Sequence, residues 1–146
     1  MVDNAVLARK VAAIRDAVKR LQDMLPPTVE EFISDRTARE VVTFNLFLAL
    51  QDAITLAAHW LADEGVEVPE SYGGLFASLG SAGVLEAALA ERLRAAVGLR
   101  NLVAHQYGVL DFSRVFHIAR DNAQDLLAFC EQVSRRAGDA DTPPLQ

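Results

Sequence analysis

Cysteine occurs once, at Cys130, so no disulfide can form within the chain and the sequence suits a reducing cytoplasm. No apolar run comes near the roughly 18 uncharged residues that a membrane span needs. The nearest approach, VVTFNLFLAL at 41–50, is too short and is followed by Asp52. The first twenty residues, MVDNAVLARKVAAIRDAVKR, carry charges throughout and lack the apolar centre of a signal peptide. A cytoplasmic protein with no membrane partner is therefore expected. No alternating strand pattern and no internal repeat competes with helical periodicity. Lysine and arginine are absent from Glu40 to Glu91, where eight acidic residues stand alone. The overall charge is −6, which argues against a strong non-specific grip on nucleic acid, since that relies on Lys and Arg displacing counterions from phosphates.

What is present is apolar helix. Of 146 residues, 51% are apolar and 23% charged, enough for a real core in one domain. Val6, Leu7, Val11, Ile14, Val18, Leu21 and Leu25 follow the 3–4 spacing of one buried stripe, so a helix is expected from about Asp3 to Met24, ended by Pro26 and Pro27. Thr28 can begin a short helical turn, TVEEF. Asp35 is a good N-cap for a second long helix, apolar almost all round, reaching about Asp63, with Gly65 as its C-terminal glycine. After the link VEVPE, Ser71 caps a short segment, SYGGLFASLGSAG. Leu85, Leu89, Leu93 and Val97 at i, i+4 steps predict one helix from about Val84 to about Tyr107, stopped near Gly108. A last helix is expected from about Ser113 to Arg136. The fold class is thus all-α, an up-and-down bundle of four to five helices over 1–137, with a polar, Pro-ended tail at 138–146 expected to be disordered.

The stretch GLRNLVAHQY at 98–107 breaks the apolar pattern. Here the chain's charge also changes sign: Arg92 to Arg120 holds five arginines against Asp111 alone. The stripe Leu89, Leu93, Val97 continues to Arg100, Asn101 and Ala104 on a helical wheel, which places Arg100 and Asn101 on or at the edge of the core face. An arginine there must be paired or must face a cleft, because a lone buried charge is costly. Arg100 and His105 combine a permanent cation with a group that titrates near neutrality. That pair suits phosphodiester chemistry: Arg neutralises the phosphate, and His moves the proton of an attacking 2′-hydroxyl or of the leaving oxygen. The bland alternative is that Arg100 pairs with a carboxylate, Asn101 bonds a neighbouring helix, and His105 and Tyr107 form a polar helix end. On an ideal helix Arg100 and His105 point roughly 140° apart. Either the helix unwinds near His105, or a second copy of the chain completes the site.

RNLVAHQY matches the Arg–x4–His–x–Tyr signature, and the chain resembles HEPN-domain proteins, specifically the HepT-like (DUF86) toxins. NLFLALQDAITLAAHWLADEG is similar to that family's second long helix through Asn45, Leu46, Ala49, Ala53, Ala57 and His59. The resemblance covers most of the chain. It implies an all-α homodimer and a metal-independent endoribonuclease that acts on RNA without a cofactor. It implies Arg100 and His105 as the catalytic pair in a cleft shared by two subunits, with Asn101 and Tyr107 in support. It also implies a partner, a cognate minimal nucleotidyltransferase antitoxin, and Tyr107 as the tyrosine that such an antitoxin can adenylylate. The alternative it leaves is a catalytically silent HEPN dimer that binds nucleotide or the nucleotidyltransferase.

Other polar residues carry less. His59, His105 and His117 share no metal-ligand spacing, and one cysteine cannot make a zinc site. His59 is expected to be a surface or packing histidine, and His117, between Phe116 and Ile118, a structural one. Asp52 needs a partner if buried, with an arginine of the helix expected over 84–107 the natural one, or else sits at an exposed edge. Arg36 and Arg39 could reach a cleft or simply solvate a helix start. Ser113 is a cap candidate. Gly73-Gly74 lacks the Lys–Ser/Thr of a phosphate loop.

Overall fold

A computed structural model describes residues 3–141. The first helix, α1 (Asn4–Met24), starts where the Asp3 carboxylate accepts from the amides of Ala5 and Val6. It buries Leu7, Val11, Ile14, Val18 and Leu21, the expected stripe. Thr28 caps the short α2 (Val29–Ser34) through the amide of Glu31. Asp35 then caps α3 (Arg36–Asp63) through the amide of Ala38. Each cap satisfies amide donors that the first helical turn cannot satisfy itself. Gly65 has φ of 73° and lets the amides of Gly65 and Val66 return to the carbonyls of Ala62 and Leu61. Ser71 caps α4 (Tyr72–Ser81) through the amide of Gly74.

The helix expected over 84–107 is two helices. α5 (Ala87–Ala96) and α6 (Gly98–Gln106) are separated at Val97, and a 3-10 turn, Tyr107–Val109, follows α6. Gly98 follows the break, and glycine tolerates a helix interruption better than it supports a helix interior. Leu89 and Leu93 are buried as expected, but the buried side then passes through Ala96, Val97 and Leu99. Asn101 and Ala104 are consequently exposed rather than core-facing, and Arg100 is half-buried.

The last helix, α7 (Phe112–Asp141), begins one residue before Ser113 and runs five residues past Arg136. Its cap is Asp111, whose carboxylate accepts from the amides of Ser113 and Arg114, so Ser113 is a helical residue and not the cap. Residues 138–141, placed in the tail by the sequence reading, lie in this helix; residues 142–146 are outside the described part of the chain.

α3 is the central helix, packed by α1 along its length and by α4, α6 and α7 on its other sides. By length and hydropathy alone it would pass as a membrane span. Its apolar surface is instead spent on the bundle: Leu46, Ala49, Leu50, Ala53, Leu56, Ala57 and Leu61 are fully buried. The small residues among these let neighbouring helices approach closely. A similar contact joins α4 to α5, where a Cβ on Gly80 would stand 2.9 Å from that of Ala90. Asp52 is paired with Lys10 of α1 at 3.0 Å, and not with an arginine of the 84–107 stretch.

Cys130 is fully buried, and burial pushes its thiol up to about 11. The reactive thiolate is therefore scarce at neutral pH. We expect a disulfide exchange reagent to label the native protein only at the rate of unfolding, at pH 7 and pH 9 alike. Rapid labelling of the folded chain at pH 7 would contradict this burial.

Candidate active site

Of the five arginines of the basic segment, three are ion-paired, and Arg114 is exposed with no ion pair among the described residues. Arg92 pairs with Asp125 at 3.0 Å, Arg94 with Glu91 at 2.5 Å, and Arg120 with Asp121 at 2.8 Å. These three are neutralised by acids of the bundle itself. Arg100 is different. Its Nε donates to the Gln51 side-chain oxygen at 2.6 Å and its Nη1 to the Asn101 side-chain oxygen at 3.1 Å. Its guanidinium carbon lies 5.5 Å from the Phe47 ring centroid and 5.4 Å from that of Tyr72. Among the described residues no carboxylate pairs with it. The cation is thus fixed entirely by neutral groups, and its charge remains uncompensated.

The supports of Arg100 come from α3 and α4. Phe47 and Gln51 are four apart, so they share one face of α3. Gln51 is itself oriented. The Thr55 hydroxyl donates to the Gln51 backbone carbonyl at 3.0 Å, and the Gln51 amide nitrogen donates to that hydroxyl oxygen at 3.3 Å. With its nitrogen engaged there, Gln51 must turn its oxygen toward Arg100; the reverse orientation would set N–H donors against N–H donors. Phe47, Gln51 and Tyr72 were not singled out by the sequence reading. The sequence signal was a glutamine beside Asp52, at the edge of the largely apolar stretch NLFLALQD.

His105 is exposed near the end of α6, with no hydrogen bond or ion pair among the described residues. α6 stays helical through Gln106, whose φ of −138° marks the break. The helix therefore does not unwind between Arg100 and His105, and the divergence of about 140° per ideal helix persists. Among the described residues no hydrogen bond, ion pair or ring contact joins Arg100 to His105 or Tyr107.

Tyr107 opens the 3-10 turn and is 43% exposed. Its ring meets Phe112 edge-on, with centroids 6.1 Å apart. Phe112 also lies beneath the guanidinium of Arg39, 5.3 Å from its centroid, and Arg39 donates to the carbonyl of Ile33. Arg36 is held in its charged form by its hydrogen bond to Glu40 and by that carboxylate's charge, with a smaller contribution from the Tyr107 oxygen. Arg39, at the start of α3, thus shares the Phe112 ring with the tyrosine. His59 is exposed, and His117 is exposed rather than packed. Among the described residues no group of three or more His, Cys, Asp or Glu side chains is placed to hold a metal ion.

A family model described as "Ribonuclease HepT-like" matches residues 14–133. The chain belongs to this family. It is an endoribonuclease by that membership. The mRNA nuclease HepT of Shewanella oneidensis is 26% identical over 130 residues, which are 89% of this chain and 97% of that protein. A putative RNase of Archaeoglobus fulgidus is 33% identical over 86 residues, 59% of this chain and 64% of that one. A solved structure, described as a tri-AMPylated Shewanella oneidensis HEPN toxin in complex with MNT antitoxin, superposes with a TM-score of 0.81 at 26% identity. That match covers 91% of this chain and 99% of the other. The HepT-like fold therefore extends over nearly the whole chain, and the segment carrying Arg100, Asn101, His105 and Tyr107 lies inside the matched region.

Proposed function

We propose that this HepT-like protein is the toxin of a toxin–antitoxin pair, cleaving RNA as a homodimer with Arg100 and His105 as its catalytic pair. The observation that carries the reading is the uncompensated Arg100 guanidinium, held by Gln51, Asn101, Phe47 and Tyr72 and by no acid. A cation preorganised by neutral groups can meet the charge that develops on a phosphate without first breaking an ion pair. In this mechanism the 2′-oxygen attacks the adjacent phosphorus in line and the 5′-oxygen leaves. His105 takes the 2′-hydroxyl proton or delivers one to the leaving oxygen, and no metal is needed. The products are a 2′,3′-cyclic phosphate and a free 5′-hydroxyl.

Two features support the dimer. Arg100 and His105 diverge on an unbroken helix, so a His105 from a second copy can reach what the chain's own cannot. On α3, Phe44 is 58% exposed and lies on the same outer stripe as the half-buried Phe47, Leu48 and Gln51. An exposed apolar patch that leads to the site is the sort of surface association covers.

Tyr107 is the proposed point of control by a cognate minimal nucleotidyltransferase. Its phenolic oxygen would attack the α-phosphorus of ATP, with pyrophosphate leaving and the phenolic proton released. The phosphodiester so formed would sit among Arg36, Arg39 and Phe112, adding bulk and charge beside the site. Support comes from the exposure of Tyr107 and from the AMPylated relative. Co-expression with a cognate minimal nucleotidyltransferase should add one or more AMP units by mass spectrometry, and Tyr107→Phe should remain unmodified.

The central test is cleavage of a defined single-stranded RNA and its all-deoxy counterpart in the presence of a chelator. We expect RNA to be cut and DNA of the same sequence to survive. Arg100→Ala should lower the rate by about 10²–10³-fold, as loss of one oxyanion-type donor does. Equal cutting of DNA would exclude attack by the 2′-hydroxyl. Absence of cleavage together with tight nucleotide binding would leave the silent-dimer reading.

A further inference from the structure

Beside Arg100 lies a groove of about 480 Å³ that none of the steps above uses. It shares two walls with the arginine: Gln51, which accepts from its Nε, and Tyr72, whose ring faces its guanidinium. The floor is apolar, made of Ile54 and Ala58 of α3 and Leu75 of α4. Ile54 and Leu75 are buried, so the floor belongs to the packed core and is rigid. Polar groups stand at the edge: the Thr55 hydroxyl, the His59 imidazole and the Glu70 carboxylate. The volume is in the range of about 300–1,000 Å³ typical of small-molecule sites.

An apolar floor, an aromatic wall and a polar rim next to a free cation describe the needs of one nucleotide. A nucleobase has apolar faces and a hydrogen-bonding edge, and its phosphate is anionic. We propose that this groove binds the base of the nucleotide whose phosphate Arg100 holds, and so biases which base flanks the cut. The inference rests on Arg100 being the phosphate-binding group of the proposed function. Of the rim groups, Glu70 can only accept hydrogen bonds when ionised, which suits a base edge bearing an amino group.

The test uses the full chain and calorimetric titration with the four 3′-nucleoside monophosphates, with inorganic phosphate as the reference anion. The preferred nucleotide should bind at least about tenfold more tightly than phosphate, a difference of about 1.4 kcal/mol. Ala58→Leu fills the groove from its floor, and Ala62→Phe fills it from its exposed outer end, so one can succeed if the other disturbs folding. Each folded variant should lose the nucleotide's advantage and keep the affinity for phosphate. Arg100→Ala should weaken both ligands. If nucleotides bind no better than phosphate, or if both filled variants bind them as wild type does, the base site does not exist. This outcome is separable from failure of the nuclease reading. Cleavage with unchanged flanking-base preference in the filled variants would overturn the groove and keep the nuclease. Groove-dependent nucleotide binding without cleavage would do the reverse.

Discussion

His105→Ala should reduce RNA cleavage by about 10²–10⁴-fold, the range expected for loss of a general acid or base. It should do so with almost no change in stability. The side chain is exposed and makes no hydrogen bond or ion pair among the described residues, and substitutions of such surface groups usually stay within about 0.5 kcal/mol. This separation of effects is the point of the experiment. Arg100 is half-buried and touches two rings and two amide groups, so its replacement mixes chemistry with packing. His105 does not have that difficulty. Single-turnover cleavage and thermal unfolding, measured on the same preparation, decide the matter. A variant that unfolds like wild type and still cuts at the wild-type rate would remove His105 from the mechanism. In the proposed dimer, mixing the His105→Ala and Arg100→Ala proteins should restore part of the activity. Each mixed dimer keeps one intact Arg100 and one intact His105, carried on opposite subunits.

Phe32→Ala should cost about 3–5 kcal/mol, the usual result of truncating a fully buried phenylalanine. Against a total stability of about 5–15 kcal/mol, that is a large fraction. The position matters beyond the volume lost. α2 has six residues and one fully buried side chain, Phe32, so little else ties it to the bundle. Phe32 packs against Phe116 at 5.8 Å and Phe112 at 6.3 Å between centroids. Phe112 in turn supports Tyr107 and the Arg39 guanidinium. The truncation should therefore also loosen the turn that presents Tyr107. Urea unfolding with an unchanged slope and a lowered midpoint is the expected reading, with Phe32→Leu losing much less. A loss under about 1 kcal/mol for the alanine variant would mean that the site collapses around the gap, and that α2 is not anchored as the structure shows.

The helices and their ends were legible in the sequence wherever the signal is local. Asp3, Thr28, Asp35 and Ser71 cap because each places an oxygen near amides two or three residues ahead. Gly65 ends α3 because it accepts a positive φ. The stripe of α1 was readable because its polar face is wet and its period therefore shows. Besides the end of the last helix, two local readings differed. Val97 and Gly98 interrupt a segment whose leucines keep helical spacing on both sides, so periodicity alone ran straight through the break. Ser113 and Asp111 are both good caps, and only the placed backbone shows that Asp111 takes the role.

The sequence by itself determined an all-helical bundle, the position of most helix ends, and the RNLVAHQY segment as the place where polar residues interrupt the apolar pattern. Only the tertiary structure decided what holds those residues. Gln51 and Arg100 are 49 positions apart, as Lys10 and Asp52 are 42, and no periodic pattern links such pairs. Arg92, Arg94, Arg100 and Arg120 are indistinguishable as letters. They separate once packing brings acids to three of them and gives Arg100 only an amide oxygen, a neighbouring asparagine and two aromatic rings. Helix formation is governed by neighbours in sequence, and the charge left free at a site is governed by neighbours in space.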